Sequence, residues 1–189
     1  MLLKREYIRT EEMKQLLILV PDLRNMKLSL DSELKRLQEF EKDMDSDYIE
    51  SATFGGFELS DMPFAKTNKT SDRTADIAIS HQNNIEAKEI EKAKKEVVRE
   101  KYYIEAVLDK IEIGLRAVGK VQSKVVELKY YRDYPWNEIL TEIESDKFFY
   151  SRAKIQRMVK RTIIKLTTIT MIDVQMYKNV MSLVEKTNN

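Results

Sequence analysis

The chain has 189 residues, with 33 basic and 32 acidic side chains, one histidine and no cysteine. That length suits one or two small domains with a real core, and the missing cysteines exclude a disulfide framework, a thiolate zinc site and a cysteine nucleophile. Met1-Leu2-Leu3 runs at once into Lys4-Arg5-Glu6, and the longest apolar run, 16–21, is far too short to span a bilayer, so the sequence predicts a cytoplasmic protein with no membrane partner.

In chain order, Thr10-Glu11-Glu12 can cap a helix running to Val20, which Pro21 is expected to stop because its ring clashes with the preceding turn. Ser29 or Asp31 can start another, with Leu30, Leu34, Leu37, Met44 and Tyr48 in a near-heptad that only Glu41 interrupts. Residues 1–50 thus read as N-terminal helices. Asp43, Asp45 and Asp47 suggest a cation loop, but the glycine and the distal glutamate of an EF-hand are missing, and no metal is expected. Residues 51–73, with Gly55-Gly56, Pro63 and many Thr, Ser, Asn and Asp, read as a loop or linker. Its Phe54, Phe57, Leu59, Met62 and Phe64 suit either a loop docked on its own helices or a peptide that another protein recognises. Neither G-x-x-x-x-G-K-[ST] nor G-x-G-x-x-G occurs, so no nucleotide cofactor is expected. His81, in the polar stretch S-H-Q-N-N, reads as a solvated side chain.

Residues 74–120 read as one long helix. Ile90, Val97, Ile104, Ile111 and Val118 recur every seventh residue, and Leu108 and Leu115 take the complementary position, which Lys94 and Lys101 occupy earlier. A seven-residue repeat keeps one seam facing a neighbouring helix. Two arrangements satisfy it: residues 30–48 fold back on the long helix, or the long helices of two chains pair as a homodimer.

Residues 121–166 read as three helices in series. Val121, Val125, Leu128 and Tyr131 share one helical face. Arg132-Asp133-Tyr134 then make a turn, and Pro135 sits where a helix start tolerates a missing N–H. Trp136, Ile139, Leu140 and Ile143 form the next apolar stripe, and E-S-D-K-F-F-Y follows over 144–150. These seven residues either lengthen the second helix or form a loop whose Phe148 and Phe149 tuck under the module. Ser151 is the N-cap expected for the last helix, with Ile155, Met158, Thr162, Ile163 and Leu166 on one side of it. Its other side carries Arg152, Lys154, Arg157, Lys160, Arg161 and Lys165, with Lys147 just before it and no acidic residue over 147–166. Ordinary solvated faces mix signs, whereas an unbroken basic run suits phosphate neutralisation. The asymmetry is global: residues 121–189 carry 12 basic and 8 acidic side chains, while 1–50 carry 9 and 12. Three helices in series, the last one basic, are the layout of a helix-turn-helix, whose final helix enters the major groove of double-stranded DNA. Residues 167–189 read as a further amphipathic helix, through Ile169, Ile172, Met176, Val180 and Leu183 or Val184, which either extends the last helix of the module or folds back against it; its threonine-rich start is a poor helix former.

The run VVELKYYRDYPWNEI, followed by SRAKIQRMVKRTIIKL, resembles the helix-turn-helix of bacterial sigma factor region 4 over about residues 121–166. The matching details are an L-x-Y-Y helix end, W-x-E-I opening the second helix, and S-R-x-x-I-x-R-x-x-K-R closed by a leucine. Sigma-like modules join the last two helices by a short turn, and 144–150 departs from that. The chain as a whole resembles phage late-gene transcriptional regulators of the ArpU and RinA type. This resemblance implies an all-α protein, with a helical hairpin or coiled-coil N-terminal part before the DNA-binding module, that activates phage or prophage genes and acts with RNA polymerase. On that reading Arg152, Ala153, Lys154, Gln156 and Arg157 face base edges, Lys160 lies on the same basic face, and Arg161, Lys165 and Lys147 hold phosphates.

Catalysis is not expected, because the acidic residues are dispersed among lysines at helix-surface spacing, as in EAKEIEKAKKE over 86–96. Two other classes stay open. A small terminase subunit also joins a helix-turn-helix to oligomerising helices, and a sigma-like module can dock on RNA polymerase without reading DNA.

Overall fold

The computed structural model describes residues 6–54, 72–146 and 148–187, and side chains over 6–43, 85–146 and 148–187. The chain is all-α. Its elements are α1 (Thr10–Phe54), α2 (Asp72–Val118), α3 (Lys120–Val126), a π-helical stretch (Glu127–Tyr131), α4 (Trp136–Ser145), α5 (Arg152–Thr170) and α6 (Val174–Thr187). One antiparallel bridge, Tyr7 to Asp173, is the extended pairing found among the described residues.

Pro21 does not stop α1, contrary to the sequence expectation; the helix runs through it. A proline inside a helix removes one N–H and clashes with the carbonyl four residues back, at a cost of about 3 kcal/mol. Leu16, Leu17, Val20 and Leu23 flank it on one buried stripe. Each such side chain contributes about 1.5–3 kcal/mol on burial, so keeping the stripe continuous outweighs the defect. The expected loop also shrinks at both ends, since 51–54 belong to α1 and 72–73 to α2. Residues 55–71, including Gly55-Gly56 and the apolar cluster from Phe57 to Phe64, lie outside the described residues. Asp43, Asp45 and Asp47 fall within α1 and not in a loop.

The chain forms two compact units, one of residues 1–29 with 100–189 and one of residues 30–99. In the smaller unit Ile90 and Val97 of α2 are buried, and Leu30, Leu34 and Leu37 of α1 are half-buried. Glu41 and Lys94, each a break in its helix's apolar pattern, form an ion pair with one another. Two polar residues that look like defects singly are thus one matched pair, as the folded-back arrangement requires. In the larger unit Ile104, Ile111 and Val118 continue the seven-residue seam and are buried, as is Leu115, whereas Leu108 is only half-buried and Val107 fills that part of the core. The seam is therefore consumed within one chain.

The larger unit is centred on Met13, Leu16 and Leu17 of α1, Ile104 and Ile111 of α2, and Ile163 and Leu166 of α5. The segment before α1 straps the far end of this core. The Ile8 N–H donates to the Ile172 carbonyl at 3.0 Å and the Val174 N–H to the Glu6 carbonyl at 2.9 Å. Helix α6 is then fixed from several sides. Asp173 caps it by accepting from the Met176 N–H at 2.7 Å, Tyr177 hydrogen-bonds Gln15, and Lys186 lies 3.6 Å from Glu100.

Candidate nucleic-acid interface

Three consecutive elements position α5. Helix α3 and the π-helical stretch bury Val125, Val126 and Leu128, while Tyr131 is half-buried. Burial pushes the Tyr131 phenol above its ordinary value of 10.0; the nearby Arg24 guanidinium, 5.6 Å over its ring, opposes that shift only in part. The Tyr131 hydroxyl is buried without a hydrogen-bond partner. The turn that follows places Asp133 at φ 48°, and Lys129 holds it by donating to Asp133 Oδ1 at 3.0 Å and to the Tyr134 carbonyl at 3.2 Å. Pro135 is the N-cap of α4 at φ −65°, where no N–H is needed, and Ile139 and Ile143 are buried behind it. Lys124 of α3 ties down the other end of α4 through Asp146 at 2.6 Å and Glu142 at 3.5 Å; the hydrogen bond to Asp146 is the main cause of its raised pKa.

The connection over 144–150 does not lengthen α4, which ends at Ser145, and its phenylalanines do not tuck under the module as expected. Phe149 is 80% exposed and Phe148 42%. The N–H groups of Asp146 and Phe148 both donate to the Ile143 carbonyl, which turns the chain outward, and Phe148 stacks on Tyr150 at 6.3 Å instead of entering the core.

Ser151 caps α5, its hydroxyl accepting from the Lys154 N–H at 3.3 Å. Ile155, Thr162, Ile163 and Leu166 are buried as the spacing predicts, Met158 is half-buried, and Val159, absent from the expected stripe, is buried too. With these residues α5 packs on α3 and α4. It continues past Leu166 to the buried Thr170, and Thr162, Thr167 and Thr168 turn their hydroxyls onto carbonyls one turn back, at 2.9, 2.9 and 3.1 Å. Met171 then ends it in the left-handed conformation, its carbonyl accepting from Lys110 at 3.0 Å.

Arg152, Ala153, Lys154, Gln156, Arg157, Lys160, Arg161 and Lys165 are all exposed on α5, and Lys147 lies outside the described residues. Apart from Arg152, they fall with Ile164 into two rows, each spaced three, four and four residues, which on a 3.6-residue helix makes two adjoining lines. A cationic row, Lys154, Arg157, Arg161 and Lys165, lines a groove of about 460 Å³ whose other walls are Val118, Gln122, Met158 and Thr162. A mixed row, Ala153, Gln156, Lys160 and Ile164, lies on the other side of Arg157. Ile164 is 50% exposed, an apolar residue on a basic face that its spacing did not single out. Lys154 also sits 4.4 Å over the Tyr150 ring, and Arg157 Nε donates to the Ala153 carbonyl at 3.2 Å.

Several cations elsewhere find carboxylates: Lys14 with Glu11, Lys27 with Glu105, Lys95 with Glu91, Arg116 with Glu112. On α5 no described acidic side chain lies within ion-pair distance of any of the six. Arg157 with Arg161 and Arg161 with Lys165 are like charges one turn apart, each such pair destabilising a helix by about 0.2–0.5 kcal/mol. The row therefore costs the helix stability. Among the described residues no group of three His, Asp or Glu side chains is placed to hold a metal ion, and no helix is long and apolar enough to cross a membrane. No family model, curated protein or solved structure matches the chain.

Proposed function

We propose that the chain is a sequence-specific, double-stranded-DNA-binding transcriptional regulator, acting in the bacterial cytoplasm on phage or prophage genes, with α3, α4 and α5 as a helix-turn-helix of the sigma region 4 kind. The observation that carries this reading is the set of six exposed, unpaired cations on one capped helix braced by two others. Neutralising phosphates with such a face releases counterions, so affinity falls steeply with salt. The resemblance of VVELKYYRDYPWNEI and SRAKIQRMVKRTIIKL to sigma region 4 supports the module, and that of the whole chain to ArpU- and RinA-type regulators supports the phage setting.

The test is duplex binding across salt concentrations. Four to six phosphate contacts predict a slope of log affinity against log salt of about −4 to −5. A salt-independent or undetectable affinity would rule the reading out. A second reading, docking on RNA polymerase without reading DNA, has the exposed Phe149 in its favour; polymerase binding in the absence of any DNA affinity would select it. Light scattering that showed a ring of eight or more copies would point instead to a small terminase subunit.

A further inference from the structure

Resting on the DNA-binding reading, we propose that the α5 surface is divided in two: the groove beside the cationic row is a slot for the sugar–phosphate backbone of one strand, and the mixed row reads bases, with Ile164 as a specificity residue. This removes Lys154 and Arg157 from the base-reading set.

The two rows differ in chemistry. The cationic row offers four positive charges and no other group, and no carboxylate lines its groove. Phosphates require that and gain nothing from hydrogen-bond variety. The other lining side chains, Val118, Gln122, Met158 and Thr162, are uncharged, which suits a deoxyribose edge lying beside the cations. The eleven steps from Lys154 to Lys165 extend about 16 Å along the axis, longer than a single nucleotide step. The mixed row has one amide, one amine, one methyl and one exposed branched aliphatic. Those groups can distinguish base pairs: Gln156 can pair bidentately with adenine, Lys160 can donate to guanine, and Ile164 can contact a thymine methyl.

Geometry gives the same division. A helix about 10–12 Å across nearly fills a major groove about 12 Å wide. One exposed line of such a helix must then face base edges while the line beside it meets a backbone. The concavity lies beside the cationic row, so the ridge of phosphates has a place to enter there.

The test uses the full chain and two duplexes of equal length, one selected from a random pool and one of random sequence. All the substituted residues are exposed, and thermal melts confirm that the variants are folded. Arg157→Gln, Arg161→Gln and Lys165→Gln should each weaken both duplexes by the same factor and flatten the salt slope by about 0.9. Gln156→Ala and Ile164→Ala should weaken the selected duplex about ten-fold and leave the random one and the salt slope unchanged; for Ile164, replacing thymine by uracil in the selected site should reproduce the loss. If Arg157→Gln weakens the selected duplex alone, the division is wrong while DNA binding stands. Competition by a nucleoside triphosphate as effective as that by the duplex at equal phosphate concentration would assign the groove to a free phosphate ligand and overturn the slot. Wild-type protein that binds neither duplex at low salt would remove the DNA-binding reading itself.

Discussion

Gly114 of α2 lies directly against Thr170 of α5: a Cβ on Gly114 would come within 2.8 Å of Thr170 Cγ2 and 3.0 Å of Leu166 Cδ2. Both neighbours are buried, so neither can swing away. In an open helix Gly to Ala gains up to about 1 kcal/mol, whereas forcing a methyl into a packed core costs about 1–3 kcal/mol. Gly114→Ala should therefore destabilise the protein by about 1 kcal/mol or more, seen as a melting midpoint lowered by at least 2–4 °C. A rise in the midpoint would mean that the contact is looser than the distances say.

Tyr131 predicts an alkaline transition. Its folded-state pKa is raised above the ordinary 10.0, chiefly by burial, so the stability it protects is complete below pH 10 and is lost as pH climbs above it. The loss is about 1.4 kcal/mol per pH unit for one such group. Tyr131→Phe should remove that share, leaving a shallower decline from Tyr130 and Tyr177, whose pKa values are also raised by burial. Near neutral pH the variant should be no less stable than wild type, since the hydroxyl has no partner to lose. Denaturant midpoints at pH 8 and pH 11 check both statements.

Ser151 separates folding from binding. Ser151→Ala removes the α5 cap and should cost about 1 kcal/mol. Ser151→Asp keeps an acceptor for the Lys154 N–H and complements the helix dipole, so its melting should match wild type. The added negative charge beside the cations should nevertheless weaken duplex binding several-fold at low salt. Equal duplex affinity for Ser151→Asp and wild type would place the DNA surface elsewhere than the start of α5.

Met171 holds φ 44° and ψ 46° at the end of α5 with its side chain 50% exposed. A left-handed L-residue costs about 1 kcal/mol that glycine does not. Met171→Gly keeps the carbonyl that Lys110 grips and relieves that strain, but gives up the buried half of the side chain, an opposing effect of similar size. The two should nearly cancel, leaving the denaturant midpoint within about 1 kcal/mol of wild type, whereas Met171→Ala, which keeps the strain and loses the same surface, should lower it further.

The sequence disclosed what depends on local period or on one side chain. Ile90, Val97, Ile104, Ile111 and Val118 are buried at every seventh position, and Ser151 caps α5. Two other features were hidden and a third was left open, for separate reasons. Pro21 signals a helix stop locally, but the stripe from Met13 to Leu23 spans it, and burial outweighs the local penalty. Whether the residues after Leu166 extend α5 or fold back against it is open in the sequence, because threonines are poor helix formers; α5 reaches the buried Thr170 and ends at Met171. Periodicity distinguishes the buried side of α5 from the exposed side but says nothing about which exposed row borders a neighbour, because that depends on where Val118 and Gln122 come to rest. Hence the cations were legible as a set, and their partition into two rows was not.

The pairing of Ile8 with Ile172 has a consequence for how the protein is made. A growing chain completes residues 30–99 early, and that unit contains its own contacts. The other unit cannot close until the residues around Ile172 have been synthesised, because the segment before α1 bonds to backbone there, and bringing such distant segments together is slow. The core of this unit therefore closes fully only after the residues that follow α5 have emerged, and until then part of it is open to the chaperones and proteases that recognise unfinished proteins.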